Sequence, residues 1–450
     1  MIYKDIRIKI PEEVNLIIKR LHKCGYEAYI VGGCVRDSLL KRRPDDWDIT
    51  TNALPDEMIN LFESSGYRII PTGLKHGTVT LVIENADFEL TTYRIDGKYS
   101  DKRHPDKVKF TNSLKEDLSR RDFTINAMAY NDQEGLIDYF GGINDLKNKT
   151  IKCVGNPVKR FSEDALRMMR AYRFAAELDF KIEKNTEDAT FLLNDNIKNV
   201  SMERIQNEFS KMLLSDNLFQ ISSLNKCGIL KYFIPEYDIC EKAEQNNPYH
   251  IYSAGRHLIS SAQNINKDLP LRLAMLLHDI AKPKCKTTDE SGIDHFYFHS
   301  YASCQMAEMI LKRMKYDNDT IKKVTALIKY HDSEIKKSSQ IRKLLSKIGE
   351  KDFRDLLKVK EADIKAQSPQ LYESRHIELL NAENELNIIL NEKQCFKLKD
   401  LKINGRDLID MGFSKGEKIG MVLNKLLNLV IENPELNDRE YLLNFARTLQ

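Results

Sequence analysis

Hydrophobic spacing changes character partway along the chain. Up to about residue 150, short apolar runs at 29–31, 78–83 and 87–92 alternate with amphipathic stretches at 11–23 and 34–41. Runs that short and rich in β-branched residues predict strands, and the stretches between them predict helices. Beyond that point the period is helical almost throughout. Ile205, Phe209, Met212 and Leu213 repeat at i, i+4, i+7 and i+8, and similar spacing recurs over 257–282, 301–331 and 372–391. The pattern predicts an α+β head followed by a mostly α-helical remainder. It contains no solenoid-length repeat and no Pro/Gly/Ser linker, so the pieces are expected to pack against one another.

Composition narrows this picture only a little. A chain of 450 residues, 42% hydrophobic, can bury large cores over about two to four domains. Its 70 basic and 67 acidic residues leave a net charge of +3, too small to argue for nucleic-acid binding, so any basic surface is local. Eight cysteines are scattered without a CxxC pair and are expected to be reduced, structural thiols. The opening MIYKDIRIKIPEEV is charged throughout, and no apolar run reaches the roughly 18 residues a membrane helix needs. A cytoplasmic protein without a membrane partner is expected.

Candidate chemistry begins at Gly32-Gly33-Cys34-Val35-Arg36-Asp37, between a strand and an amphipathic helix. Paired glycines let the backbone turn tightly beside a phosphate, and Arg36 adds a guanidinium, although such a turn is often only a turn. Asp46-Trp47-Asp48 follows. On a strand the two carboxylates share a face, and their repulsion suits Mg²⁺, which takes carboxylate oxygens together with substrate phosphates. A solvated edge is the alternative. Asp87 and Glu89 share a later strand face, and either could complete a triad; Glu89 is the preferred candidate.

GGCVRDSLL, DDWDITT, FELTTYRID, RRDFTINAMAY at 120–130 and FSEDALRMMRAYRFA at 161–175 occur in that order. Together they resemble the motifs of the class II tRNA nucleotidyltransferase and bacterial poly(A) polymerase family, over roughly residues 27–235. The resemblance implies a polymerase-β-like nucleotidyltransferase palm with Asp46 and Asp48 as metal ligands. It also implies that Gly33, Arg36 and Arg121 contact the nucleotide, with Asp164, Arg167, Arg170 and Arg173 completing its site. RIDGKYSDKRHPDK, 94–107, matches the position of a flexible loop associated with adding the terminal A, where an ordinary hairpin excursion is the alternative.

Asp164, Arg167, Arg170 and Arg173 recur every three residues on a helix expected to start at Ser162, which makes one slowly winding charged stripe. It could be a solvated face of i,i+3 pairs. A carboxylate beside a guanidinium, however, presents an acceptor and then a fork of donors. Cytosine N4/N3 and adenine N6/N1 fit that pair, whereas guanine and uracil meet it with the wrong groups, at about 1–3 kcal/mol per buried contact. Side chains could thus select C and A without a template.

A second constellation lies in the helical part. His257, His278-Asp279 and His299, with His331-Asp332 beyond, look like the series of HD-superfamily metal-dependent phosphohydrolases. Imidazoles and a carboxylate on separate helices can converge on one metal, Ni²⁺ or Mn²⁺, and either His331 or Asp332 could supply the last ligand. The final segment resembles the tail of bacterial tRNA nucleotidyltransferases, and its Lys402, Arg406, Lys415, Lys418 and Lys425 could meet phosphates.

The expected organisation is a head over 1–150, a helical neck for nucleotide selection and RNA binding over 151–235, an HD domain over 236–345 and a tRNA-binding tail over 346–450. The expected activity is metal-dependent, template-independent addition of C, C and A to the tRNA 3′ end from CTP and ATP, releasing pyrophosphate. The alternatives are a poly(A) polymerase or A-adding enzyme, or a phosphohydrolase with a vestigial head.

Overall fold

The β-branched and aromatic runs of the head pair into a mixed eight-stranded sheet. In chain order the strands are β1 (Ile2–Tyr3), β2 (Ala28–Val31), β3 (Ile49–Thr51), β4 (Arg68–Gly73), β5 (Thr78–Ile83), β6 (Ala86–Thr92), β9 (Met128–Asn131) and β10 (Gly135–Asp138). β7 (Arg94–Asp96) and β8 (Val108–Phe110) form a separate antiparallel pair. The spatial order is β1-β10-β9-β2-β3-β6-β5-β4, and only β3 and β6 run parallel. The computed structural model describes residues 1–84, 86–97, 108–247, 249 and 251–449. Residues 98–107 of the expected loop lie outside the described residues.

Helix α1 (Glu12–Lys23) packs on β2 and buries Val14, Ile17, Ile18 and Leu21, the i, i+3, i+4, i+7 stripe its sequence spells out. Its ends suit the helix dipole, with Glu12 and Glu13 in the first turn and Arg20, His22 and Lys23 in the last. Helix α2 (Gly33–Leu39) follows β2 directly, entered through Gly32 at φ 82°. Four short helices follow in order: α3 (Pro55–Glu63), α4 (Leu114–Ser119), α5 (Gly142–Lys147) and α6 (Pro157–Glu163).

The charged stripe differs from the expected single helix starting at Ser162. Asn156 caps α6 by accepting from Lys159 N, and Pro157 at the first position starts that helix five residues earlier than expected, so Ser162 lies inside it. Asp164 then turns extended (φ −142°, ψ 108°) and accepts from Leu166 N, which restarts the chain as α7 (Leu166–Leu178). α7 packs against α9 (Met202–Leu213), which follows α8 (Lys184–Leu193).

The chain divides into two compact units, Met1–Tyr232 and Phe233–Gln450. In the second, the helices Ala254–Gln263, Leu269–Leu277, His299–Arg313, Asn318–Tyr330 and Ser338–Lys365 pack together; the last is kinked at Gly349 (φ 76°). Cys395, Leu408, Phe413, Leu426, Val430 and Leu442 form a further apolar core near the C-terminus. The expected α+β head and mostly helical remainder are both present. Among the described residues, no helix is long and apolar enough to cross a membrane.

Candidate functional site

Asp46 and Asp48 lie in the extended segment just before β3, not inside a regular strand as expected, and both are exposed. The segment is anchored by Val31 N donating to Asp48 O at 3.0 Å. The parallel register Ile49↔Leu90, extended one residue back, sets Asp48 beside Glu89. Desolvation raises the Asp48 carboxyl pKa; Arg121 opposes the shift and Asp46 adds to it. Glu89 is raised as well, by desolvation and then by Asp48 and Asp46, so the three carboxylates feel one another's charge. Asp87 shares the exposed face of β6 but pairs across to Val82, one step further from β3.

Arg121 supplies the opposite charge. A Cβ built on Gly32 would stand 3.0 Å from Arg121 Nη1 and 3.7 Å from Asp48 Oδ2, so Gly32 is the position that lets guanidinium and carboxylate close in on the turn. A cavity of about 220 Å³ opens here, lined by Asp48, Thr78, Glu89, Arg94, Arg120 and Arg121. Gly33 begins α2 behind it. Arg36 is buried, with Nε and Nη2 donating to Asp37 at 2.9 and 2.7 Å and Nη1 donating to Asn126 Oδ1 at 2.8 Å.

The 164–173 stripe is tied into its surroundings at each step. Asp164 accepts from Arg204 on α9, Nη2 to Oδ2 at 2.8 Å and Nη1 to Oδ1 at 3.4 Å. Arg167 is fixed by Glu163 at 3.0 Å and by the carbonyls of Arg160 and Arg120 at 3.4 and 3.1 Å. Arg170 donates to Asp122 at 2.8 Å, and Arg173 donates to Glu208 and Glu177, both at 2.6 Å. Burial works against the charge of Asp122, but Arg170 and then Arg167 outweigh it and bring the carboxyl to about 2. Asp164 and Arg167 therefore lie near each other at the α6–α7 junction, but each has its own ion partner.

In the second unit, side chains up to 106 positions apart in the sequence converge. His257, His278 and Asp279 form one buried ligand-like group; Asp279, His299 and His331 form another. Asp279 Oδ2 is 3.4 Å from His257 Nε2 and 3.2 Å from His278 Nε2, while Oδ1 is 3.3 Å from His299 Nε2 and 3.6 Å from His331 Nε2. Of the two alternatives for the last ligand, His331 joins the group and the neighbouring Asp332 does not. Asp363 joins it from the helix Ser338–Lys365, with Oδ1 3.0 Å from His257 Nε2 and 3.5 Å from His278 Nε2. Burial opposes charge on His278, yet Asp279 and Asp363 lift its pKa to about 10. Against the same burial, the histidines hold both carboxyls well below the usual range. These are hard and borderline donors suited to a first-row divalent ion.

Sequence reasoning missed Arg204, Asp122 and Asp363. Asp363 had a signal: it lies four residues after Val359 and seven after Leu356 on the buried face of its helix, where a carboxylate needs a partner. Arg204 and Asp122 had none, because their partners are set by tertiary packing. The tail cations Lys402, Arg406, Lys415, Lys418 and Lys425 are all exposed.

Comparison with known proteins bears on the family to which the chain belongs. Residues 28–152 match the family model described as Poly A polymerase head domain, 179–240 the one described as Probable RNA and SrmB- binding site of polymerase A, and 286–446 that of tRNA nucleotidyltransferase domain 2. The chain is 32% identical over 449 residues to the CCA-adding enzyme of Ligilactobacillus salivarius, covering 98% of each chain. It is 46% identical over 236 residues to that of Enterococcus faecalis, covering 52% of this chain and 55% of the relative. Among solved structures it resembles the Bacillus stearothermophilus CCA-adding enzyme in complex with CTP, with TM-score 0.73 and 27% identity over 98% of this chain and 99% of that one.

Proposed function

The chain belongs to the CCA-adding enzyme family, a family of nucleotidyltransferases, and on that footing we propose that Asp46, Asp48 and Glu89 carry the addition of C, C and A to the 3′ end of tRNA. CTP and ATP are the donors, and pyrophosphate leaves. The observation that carries the reading is the mutual electrostatic influence of three carboxylates beside Arg121, on a turn kept open by Gly32. Crowded carboxylates, with those of Asp48 and Glu89 raised, fit a hard divalent cation, and Mg²⁺ is the proposed ion. Two magnesium ions bound there would supply the Lewis acidity that activates the RNA 3′-hydroxyl and neutralises the leaving pyrophosphate.

The chain's own residues do the rest. Arg121 meets the triphosphate from the rim of the cavity, and the Gly32-Gly33 backbone lets it approach closely. Arg36 acts from behind, locked by Asp37 and Asn126, and steadies the turn. Asp164 accepts from the amino group of cytosine or adenine, and Arg167 donates to the adjacent ring nitrogen. Arg204 and Glu163 hold these two in place, while Arg170 and Arg173, paired with Asp122 and Glu208, set the tilt of α7 beneath them. The exposed tail cations meet tRNA phosphates without reading sequence. A cytoplasmic setting agrees with eight cysteines that form no disulfide.

A second reading is favoured by the buried His/Asp group. His257, His278 and Asp279 hold a Ni²⁺ or Mn²⁺ ion and give the body a phosphohydrolase activity alongside transfer. The transfer reading is tested by offering tRNAs that end before CCA, after the first C and after the second C, plus an unrelated RNA, with each nucleotide in turn. C, C and A are expected in order on tRNA alone. A run of A on the unrelated RNA would make the protein a poly(A) polymerase instead.

A further inference from the structure

We propose that Phe174 is a positioning residue for base selection. Its ring gathers Arg36 of the head and Arg170 and Arg173 of α7, and so fixes the base-reading end of that helix against the turn that takes the triphosphate. The proposal rests on the reading of Asp164 and Arg167 as the groups that meet the base, and adds the side chain that aims them.

Three guanidiniums converge on one ring. The guanidinium carbon of Arg173 lies 3.7 Å from the Phe174 ring centroid, that of Arg36 5.0 Å and that of Arg170 5.2 Å. Phe174 is 3% exposed, and Arg36 and Arg173 are buried with it. Cations taken out of water need compensation on every side. Carboxylates supply it at the outer edges of these guanidiniums. On the inner side the negative face of an aromatic ring does so, where a leucine of similar bulk would not.

The polar side of the same three cations is one continuous chain. Arg36 Nη1 donates to Asn126 Oδ1 at 2.8 Å, and Asn126 Nδ2 donates to Asp122 Oδ1 at 3.3 Å. Arg170 Nε donates to Asp122 Oδ2 at 2.8 Å, and Arg170 and Arg173 share the Glu208 carboxylate at 3.5 and 2.6 Å. Phe123, next to Asp122, packs edge-to-face on Phe174 with centroids 5.8 Å apart. The ring is thus the inner hub of a chain that begins on α2 and ends on α7, closed from α9 by Glu208.

Helix spacing connects the hub to the base. Phe174 follows Arg170 by four residues and Arg167 by seven, so the three share one face of α7. Arg167 stands two turns, about 10 Å, nearer the helix start. A ring that grips Arg36 and Arg170 together sets how the Asp164–Arg167 end lies relative to the Gly32-Gly33 turn. A small shift at the hub misplaces the base against the phosphates, which costs discrimination before it costs folding.

The test keeps the shape of the ring and weakens its face. Phe174 is replaced in the full chain by mono-, di- and trifluorinated phenylalanine, each fluorine drawing electron density from the ring. The ratio of kcat/KM for CTP over UTP is measured on tRNA ending before CCA, with thermal melting in parallel. The expected result is a ratio that falls with each fluorine, by at least about threefold in the trifluorinated protein, at nearly unchanged Tm. Phe174→Leu should lower the ratio at least about fivefold; should that variant fail to fold, the fluorinated series decides alone. A ratio indifferent to fluorine, in an assay where Asp164→Asn lowers it, overturns the role of Phe174 and leaves the ring as core filling. If Asp164→Asn itself leaves the ratio unchanged, the base-selection reading falls and the role of Phe174 falls with it.

Discussion

In the head, Asp46, Asp48 and Glu89 stand exposed on and beside two neighbouring interior strands of the sheet, with Arg121 as the nearby counter-charge. In the body, His257, His278, Asp279 and His331 are buried, and each ring is oriented by a carbonyl behind it. Desolvation, and then neighbouring carboxylates, raise Asp48 and Glu89, whereas the histidines, joined at Asp279 by Lys282, outweigh burial and hold Asp279 and Asp363 low. The contrast teaches that a site meant to take an ion together with each incoming nucleotide can stay open and electrostatically uncomfortable. The body's ligands, oriented in advance, suit the retained ion proposed for them.

The largest effect expected from this contrast is on chelation. Brief EDTA treatment followed by desalting should abolish nucleotide addition, and Mg²⁺ should restore it at once, while metal analysis finds the ion proposed for the body still bound. Addition that survives chelation, or body metal lost as quickly as activity, would erase the distinction.

Base selection is the next effect in size. Asp164→Asn can turn an amide N–H₂ toward a carbonyl, so the ratio of kcat/KM for CTP over UTP should fall at least about fivefold. Arg204→Ala, which leaves Asp164 without its 2.8 Å partner, should lower the same ratio by a smaller factor. If both variants lose activity at an unchanged ratio, the junction is structural only.

Smaller still is a stability effect of opposite sign to the activity loss. A carboxyl raised in the folded state binds its proton more readily there than in the unfolded chain. Its favourable contribution is present at low pH and is lost as pH rises through the folded pKa. At neutral pH without magnesium, Asp48→Asn or Glu89→Gln should therefore raise Tm by about 1–3 °C. A lowered Tm in both would contradict the electrostatic account. The smallest effect belongs to His299→Gln, which should leave nucleotide addition within about twofold, as expected for substitutions in separate compact units.

Sequence spacing revealed both sites to different depths. The head was readable because its chemistry is local: Gly32-Gly33, Asp46 with Asp48, and Glu89 each fall on or beside one strand, and two neighbouring pairings, β2 with β3 and β3 with β6, join them. The body's histidines were readable as a series, but not the division into two pairs or the entry of Asp363, because helix packing sets those distances. The break at Asp164 was missed because the cap that controls it, Asn156 with Pro157, lies before the charged stripe. Arg204 and Asp122 look like ordinary surface charges until α9 packs against α7.

The central claim is that the head carboxylates perform the additions, and Asp46→Ala and Asp48→Ala test it most directly. Parent and variants are given tRNA ending before CCA, with CTP, ATP and Mg²⁺, and products are resolved to single nucleotides while tRNA binding is measured in parallel. The account predicts extension by C, C and A in the parent, a fall in rate of at least about a hundredfold for both nucleotides in each variant, and tRNA binding nearly unchanged. Turnover within about tenfold of the parent in either variant would contradict it.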